Sequence, residues 1–438
     1  MSHKFLVATM PIPGHVAPFS PVVRELLRRG HEVVWYGSRF FRDKIEATGA
    51  RFEPITRALD YGDSDYNRYF PKRAGLSGLR QIVFDFEKVF VGAVEGMSQD
   101  LEAILGRYPA EVLLHDPAVA AAMLLGERGI VPTATLNITV VGFESRDLAA
   151  FGLGLPFDPS ALGRLRNRLT YWAVDHVVFA PVNRAFRKVT GAHGWPFFPF
   201  RPRPSKYLQL QPSVPGFEYP IYDLPPQLHF IGPLLPDNPP NFVPPAWWEE
   251  VVHSPKPVVL VTQGTVATNA DELIRPTLQA LAAEDVLVIA TTGGKRAEEL
   301  SFPIPANARV EPFVPFGLLM PHIDLYVTNG GYGGVTIALA NGVPVVSGGT
   351  TEDKPEVSNR VAYSGVGLNL KTNHPNPKKV RDAVRRVLAD PSFKARAQAI
   401  QADFARHDAA AEAAGLLERL AATGQPVLSP LLVKEALA

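Results

Sequence analysis

The chain has 438 residues, 46% of them apolar and 20% charged, an ordinary globular composition with length enough for two or three domains. Lys plus Arg (44) nearly balance Asp plus Glu (43), which excludes partners recognised by overall charge, such as nucleic acid, so any bound anion must be held locally. The absence of cysteine excludes disulfides, thiolate metal sites and cysteine nucleophiles, and fits a reducing compartment.

The first apolar run, Phe5 to Met10, is broken at once by Pro11, Pro13, Gly14 and His15, which is not the build of a signal peptide. No later stretch offers the roughly 18 uninterrupted apolar residues of a bilayer span, so the expected location is the cytoplasm. KFLVATM is followed by a helix from about Pro18 to Arg29 stopped by Gly30, then EVVWYG, then a helix near Arg39–Thr48. RFEPI, a long helical stretch within Leu79–Leu105, EVLLH, a helix near Ala118–Arg128 and TATLN continue the pattern. Strands alternating with helices imply a parallel sheet, because parallel neighbours need crossovers.

The segment Val140–Phe200 breaks this rhythm with ten phenylalanines and tryptophans, among them Phe143, Trp195 and Phe198. They read either as core or as a wall for an apolar ligand. Prolines 233, 236, 239, 240, 244, 245, 255 and 257 then form a stiff, extended connector. The expected division is an N-terminal domain at 1–232, a connector at 233–257 and a C-terminal domain at 258–438. PVVLVT, a helix near Asp271–Ala283, VLVIAT, a short strand near Arg309–Glu311, DLYVT and PVVSG restart the alternation. The fold class is α/β, with two facing, doubly wound Rossmann-like parallel sheets and a cleft between them where ligands sit.

Chemistry concentrates at three places. In Leu325–Pro344 a buried strand breaks into Gly330, Gly331, Gly333 and Gly334 and resumes as a helix, leaving unpaired N–H groups that favour an anion such as phosphate. His15 lies at the carboxyl end of the first strand, where a histidine can act as general base. Asp116, ending EVLLH, is positioned to hold it, while His115 points the other way. Several signatures are excluded. Thr336 stands where a dinucleotide fingerprint needs glycine, and Ile289 and Arg296 spoil a P-loop at Gly293-Gly294-Lys295. His31-Glu32 lacks a second histidine, no Gly-x-Ser-x-Gly elbow exists, and Asp63-Ser64-Asp65 reads as a polar loop.

Gly14-His15-Val16-Ala17-Pro18, LLHD ending at Asp116, Thr262-Gln263-Gly264-Thr265, VP-x4-MPHIDLYVTNGG and Glu352-Asp353-Lys354 together resemble glycosyltransferase family 1, in its bacterial branch of macrolide and natural-product transferases. The resemblance spans both domains. It implies the GT-B fold, an acceptor site in the N-terminal domain, a nucleotide-sugar site in the C-terminal one, C-terminal helices packing back on the first domain, and no required metal. His15 would be the base and Asp116 its partner. Donor contacts would fall on Gln263, Gly264 and Thr265 near the diphosphate, with Thr265 equally readable as a helix cap. Phe313, with Val314 beside it, stands where the family usually stacks tryptophan on uracil. Gly331, Gly333, Gly334 and Val335 would hold the diphosphate, and Asn329 replaces the usual histidine. Asp353-Lys354 corresponds to the Asp-Gln pair that holds sugar hydroxyls, with Glu352-Asp353 the other alignment.

The implied reaction is an inverting, metal-independent transfer of a sugar, most often glucose, from a nucleotide diphosphate, UDP or TDP, to a hydroxyl of a lipophilic small molecule. UDP-glucose would be a co-substrate, with no further cofactor, nucleic acid or integral membrane association. Phe143, Trp195 and Phe198 would line the acceptor, within the variable segments Tyr61–Gly75 and Val140–Phe200. A sugar-nucleotide epimerase and a non-catalytic nucleotide-sugar-binding relative are the alternatives.

Overall fold

Apolar runs buried on both faces build two parallel sheets, as parallel strands require. The protein is described by a computed structural model covering residues 2–61, 66–76, 78–239, 241–264 and 269–430. The first sheet comprises β1 (Lys4–Ala8), β2 (Glu32–Gly37), β3 (Arg51–Pro54), β4 (Val112–His115), β5 (Thr133–Leu136), β6 (Leu208–Gln211) and β7 (Leu228–Phe230). Its order is β3-β2-β1-β4-β5-β6-β7. The second comprises β8 (Val258–Thr262), β9 (Leu287–Thr291), β10 (Ala308–Glu311), β11 (Leu325–Thr328), β12 (Val345–Ser347) and β13 (Gly367–Asn369), in the order β10-β9-β8-β11-β12-β13. Every pairing in both sheets is parallel.

Strand order reverses between β1 and β4 in the first sheet and between β8 and β11 in the second. At such points neighbouring loops diverge and open a crevice at the carboxyl edge. His15 follows β1 and Asp116 follows β4; Gln263 follows β8 and the glycine turn follows β11. The residues singled out by sequence therefore come from the four strands that flank the two switch points.

Three elements differ from the sequence pattern. The long helix is two helices, Gly78–Phe84 and Val91–Arg107, joined by a π-helical turn at Asp85–Phe90. The aromatic segment folds as helices Ala161–Ala173 and Ala180–Ala192 around a π-helical turn at Val174–Val178. The proline-rich connector is not a free spacer. Phe242, Trp247 and Trp248 pack on the core of the second sheet, the Trp247 indole N–H donates to Glu311 (3.0 Å), and Arg309 forks onto Glu250 (2.8 and 2.7 Å).

The helix Ala409–Thr423 crosses back to the first domain. Ala413, Ala414, Leu417 and Leu420 are fully buried in one core with Phe5, Val7, Phe19 and Leu26. Arg29 donates to Glu418 (3.0 Å) and to the Ala411 carbonyl (2.9 Å), and His31 Nε2 lies 2.8 Å from Glu418. Leu417→Ala is expected to cost about 2–5 kcal/mol through a cavity in the first domain, read as a lower urea midpoint; an unchanged midpoint would mean that the helix is not part of that core.

Candidate active site

His15 sits in a short helix, Pro13–Val16, directly after β1, with its side chain 17% exposed. Its Nδ1 lies 3.2 Å from Oδ1 of Asp116, whose side chain is fully buried. The pair is within ion-pair distance, yet Nδ1 is off the line needed for a hydrogen bond. Catalytic pairs without substrate are commonly loose in this way and tighten on binding. Asp116 itself is fixed: Oδ2 accepts from the Met10 amide (2.6 Å) and Oδ1 from the Ala118 amide (2.7 Å). His115 does point elsewhere. It is fully buried between the Asp116 carbonyl (2.8 Å) and the Thr135 hydroxyl (3.2 Å), and burial pushes its pKa down.

Beside the dyad lies Tyr61, 1% exposed, with a hydroxyl that meets no partner among the described residues. Burial is the main cause that raises its pKa, with Tyr66 and Asp116 adding to it. Tyr66 and Tyr69 pack against its ring. Asp63-Ser64-Asp65 lies outside the described residues, as does Thr265.

The carboxyl edges of the two sheets face each other. Thr139, just past β5, donates its hydroxyl hydrogen to Asp353 (2.6 Å), and Gln211, at the end of β6, donates to the Tyr332 hydroxyl (3.3 Å). Tyr332 in turn donates to the Pro212 carbonyl (2.7 Å). Burial pushes the Asp353 carboxyl up, while the Thr139 hydrogen bond opposes the shift.

On the second sheet the glycine turn opens the helix Tyr332–Ala340. Helix geometry leaves the amides of Tyr332, Gly333 and Gly334 without intrahelical partners. The Val335 amide, expected from sequence to serve an anion, instead donates to the Gly331 carbonyl (3.1 Å), because it is the first amide inside the helical ladder. Gly333 faces open space, whereas a Cβ at Gly334 would lie 2.5 Å from the Tyr326 hydroxyl. Gly330 holds φ 89° above Ser358, whose Oγ would stand 2.6 Å from a Cβ there.

Several expected donor contacts have other duties. Gln263 caps the helix Ile274–Leu281: its Oε1 accepts from the amides of Leu273 (3.3 Å) and Ile274 (3.2 Å), and its Nε2 donates to Asn269 (2.9 Å). Asn329 donates one hydrogen of its side-chain amide to the Gln263 carbonyl (2.6 Å), tying the two switch-point loops together and leaving the other hydrogen for a ligand. The Val314 side chain is core. Gly264, at φ 76°, adjoins the turn, and Phe313 is 63% exposed beyond β10, with its ring face open. Glu352, at φ 57°, pairs with Lys354, whose chain lies along Gly349 and Gly330 at the glycine turn.

The aromatic wall is mostly core. Phe143 is buried with Leu148, Tyr219 and Leu228. Phe198 packs among Val91, Ala120, Leu124 and Phe186. Trp195 stacks on His193 and lies under Arg128, at the end of the helix Ala120–Glu127 farthest from the cleft. These three residues do not gather around His15.

Missed by sequence reasoning is the joint made by the helix Lys354–Tyr363. Arg360, 1% exposed, donates to Glu218 (2.6 Å) and to the Val141 carbonyl (2.5 Å), lies 3.6 Å from Glu356 and stacks on Tyr219 (4.3 Å). Glu356 accepts from the amides of Gly152 (3.2 Å) and Gly154 (3.0 Å) in the first domain, and burial pushes its carboxyl up against the pull of Arg360. The signal available in sequence was an arginine four residues beyond a glutamate, which any exposed helix also carries.

This architecture is shared with solved structures. CalG4, the calicheamicin glycosyltransferase, matches with a TM-score of 0.76 over 97% of this chain and 100% of that one, at 23% identity. The class is a GT-B glycosyltransferase fold. Residues 275–420 match the family model described as Erythromycin biosynthesis protein CIII-like, C-terminal domain. The 4'-demethylrebeccamycin synthase of Lentzea aerocolonigenes is 44% identical over 426 residues, covering 96% of this chain and 100% of that relative. UDP-glucosyltransferase B1 of Starmerella bombicola is 31% identical, covering 91% of this chain and 94% of the relative. The chain belongs to glycosyltransferase family 1 and is a glycosyltransferase of the natural-product type.

Replacing Arg360 by Met would leave Glu218 and Glu356 buried without their cation. The expected cost is about 3–5 kcal/mol in urea unfolding. Unpaired buried carboxyls have folded pKa values above their unfolded ones, so the cost should shrink as pH falls and the carboxyls protonate. A deficit independent of pH would assign the loss to packing alone.

Proposed function

We propose that this enzyme transfers glucose from UDP-glucose to a hydroxyl of a lipophilic small molecule by a single inverting displacement that needs no metal. The observation that carries the reading is the His15–Asp116 pair, 3.2 Å apart at one switch point, across the cleft from a helix N-terminus at the other. The names of two relatives, a 4'-demethylrebeccamycin synthase and a UDP-glucosyltransferase, support the acceptor class and the donor.

His15 takes the acceptor proton while Asp116, anchored by two amides, stabilises the imidazolium that forms. The freed oxygen attacks the anomeric carbon from the face opposite the diphosphate. One carbon–oxygen bond forms as the other breaks, and an α-linked donor becomes a β-glycoside. The leaving diphosphate meets the amides of Tyr332, Gly333 and Gly334 and the positive end of their helix, an arrangement worth several kcal/mol when preorganised. Phe313 offers its exposed ring to the uracil, and Asp353 meets sugar hydroxyls. Tyr61, whose hydroxyl meets no partner among the described residues, adjoins the acceptor side.

His15→Ala should lower turnover by at least about two orders of magnitude while UDP binding stays unchanged. The assay is mass-spectrometric detection of glycoside from UDP-glucose and a panel of phenolic, macrolide and polyketide alcohols. Near-normal turnover would remove His15 from the base role. Released epimerised sugar, or nucleotide binding without any product, would overturn the transfer reading.

With Asn329 uncharged and bonded to Gln263, the positive charge at the diphosphate falls to Lys354, released from Glu352 when the donor arrives. Lys354→Gln should weaken UDP-glucose binding about ten- to hundredfold, the worth of a charge-assisted hydrogen bond. Asn329→His in that background should restore part of it. Failure of the second substitution to rescue would mean that the two positions do not share this task.

A further inference from the structure

The helix Ala161–Ala173 is inside out. Asn167 is fully buried and donates to the Arg146 carbonyl (3.0 Å), and the other buried positions are Gly163 and Tyr171. Leu162, Leu165, Leu169 and Trp172, at helical spacing, are 78%, 52%, 59% and 59% exposed, and Val177 just beyond is 61% exposed. A helix on a globular surface ordinarily turns such a stripe inward. A contiguous exposed stripe of this kind marks a surface that is covered by a partner or a membrane.

Charge selects between these. Residues 161–192 carry Arg164, Arg166, Arg168, Arg184, Arg187 and Lys188 against the single acid Asp175, in a chain whose net charge is +1. Arg164 is engaged with Asp147 and Asp175 is neutralised by Arg201. Arg168, Arg184 and Lys188 are exposed, with no carboxylate partner among the described residues. A stripe of leucines and a tryptophan, with Arg168 exposed on the same helix and Arg184 and Lys188 exposed on the next, matches an anionic bilayer surface: the apolar side chains enter the acyl boundary while the cations meet the headgroups. The helix also backs the segment that borders the cleft, since Tyr171 donates to the Phe143 carbonyl (3.1 Å) and Thr170 accepts from the Ala150 amide (3.1 Å).

We infer that the exposed face of the helix Ala161–Ala173, with the basic helix that follows it, docks the enzyme reversibly on an anionic lipid surface, placing the cleft beside a membrane-dissolved acceptor. The inference rests on the lipophilic acceptor only for its purpose; the docking is read without any turnover.

The test uses the whole protein and vesicles of phosphatidylcholine, alone or mixed with phosphatidylglycerol, in co-sedimentation. Binding is expected to the mixed vesicles and to weaken as ionic strength rises. Leu165→Ser/Leu169→Ser should reduce it at least about tenfold with an unchanged melting temperature. Arg168→Glu/Arg184→Glu/Lys188→Glu should abolish the preference for phosphatidylglycerol. Absence of vesicle binding, or equal binding by the serine variant, overturns the proposal. A dimer in light scattering that the serine variant converts to monomer also overturns it, assigning the face to a second copy of the chain.

Discussion

The geometry of the cleft depends on one buried cation. Arg360 belongs to the second domain by sequence, yet its guanidinium is satisfied largely by the first: the Glu218 carboxylate, the Val141 carbonyl and the face of Tyr219. Burying a guanidinium is costly unless its hydrogens are paired, and here its own helix supplies only Glu356 and that residue's carbonyl. The remaining partners can be met at one relative placement of the two domains. Glu356 repeats the logic in reverse, an acid of the second domain capped by two glycine amides of the first. The sheet edge that carries His15 and Asp116 and the sheet edge that carries the glycine turn are thereby held facing each other.

Close approach makes that joint possible. Gly154 holds φ 60°, and a Cβ there would stand 2.6 Å from Pro355, so the segment reaches Glu356 only as bare backbone. Pro355 and Glu356 directly follow Asp353 and Lys354, the residues assigned to the donor. The turn that carries Asp353 and Lys354 therefore continues straight into the helix that fastens the domains.

The fold was readable because its signals are periodic: alternating strands and helices dictate parallel sheets, and parallel sheets dictate where loops converge. His15, Asp116 and the glycine turn were found on that basis, each being fixed by position at a strand end. What sequence left open was the assignment of individual polar groups. Nothing in the residue names distinguishes the Val335 amide, spent inside the helix, from the Gly333 and Gly334 amides one and two positions earlier. Asn329 and Gln263 also carry hydrogen bonds to neighbouring loops that their place in the sequence does not show. Phe143, Trp195 and Phe198 have the composition of a binding wall, and only three-dimensional packing separates a wall from a core. Arg360 was invisible because its partners lie 142 and 219 positions away.

The return of the helix Ala409–Thr423 to the first domain has a consequence for the order of folding. The groove that receives Leu417 and Leu420 is lined by residues from the very beginning of the chain, including Phe5 and Phe19. During synthesis, at roughly 5–20 residues per second, the first sheet emerges long before the helix that covers it. The nascent first domain must wait with an open apolar groove while the whole second domain is made. The core of the second sheet in turn takes in Val140, Val214 and Phe217 of the first domain, so neither core is finished by its own stretch of chain, and the first is covered only when the helix Ala409–Thr423 arrives.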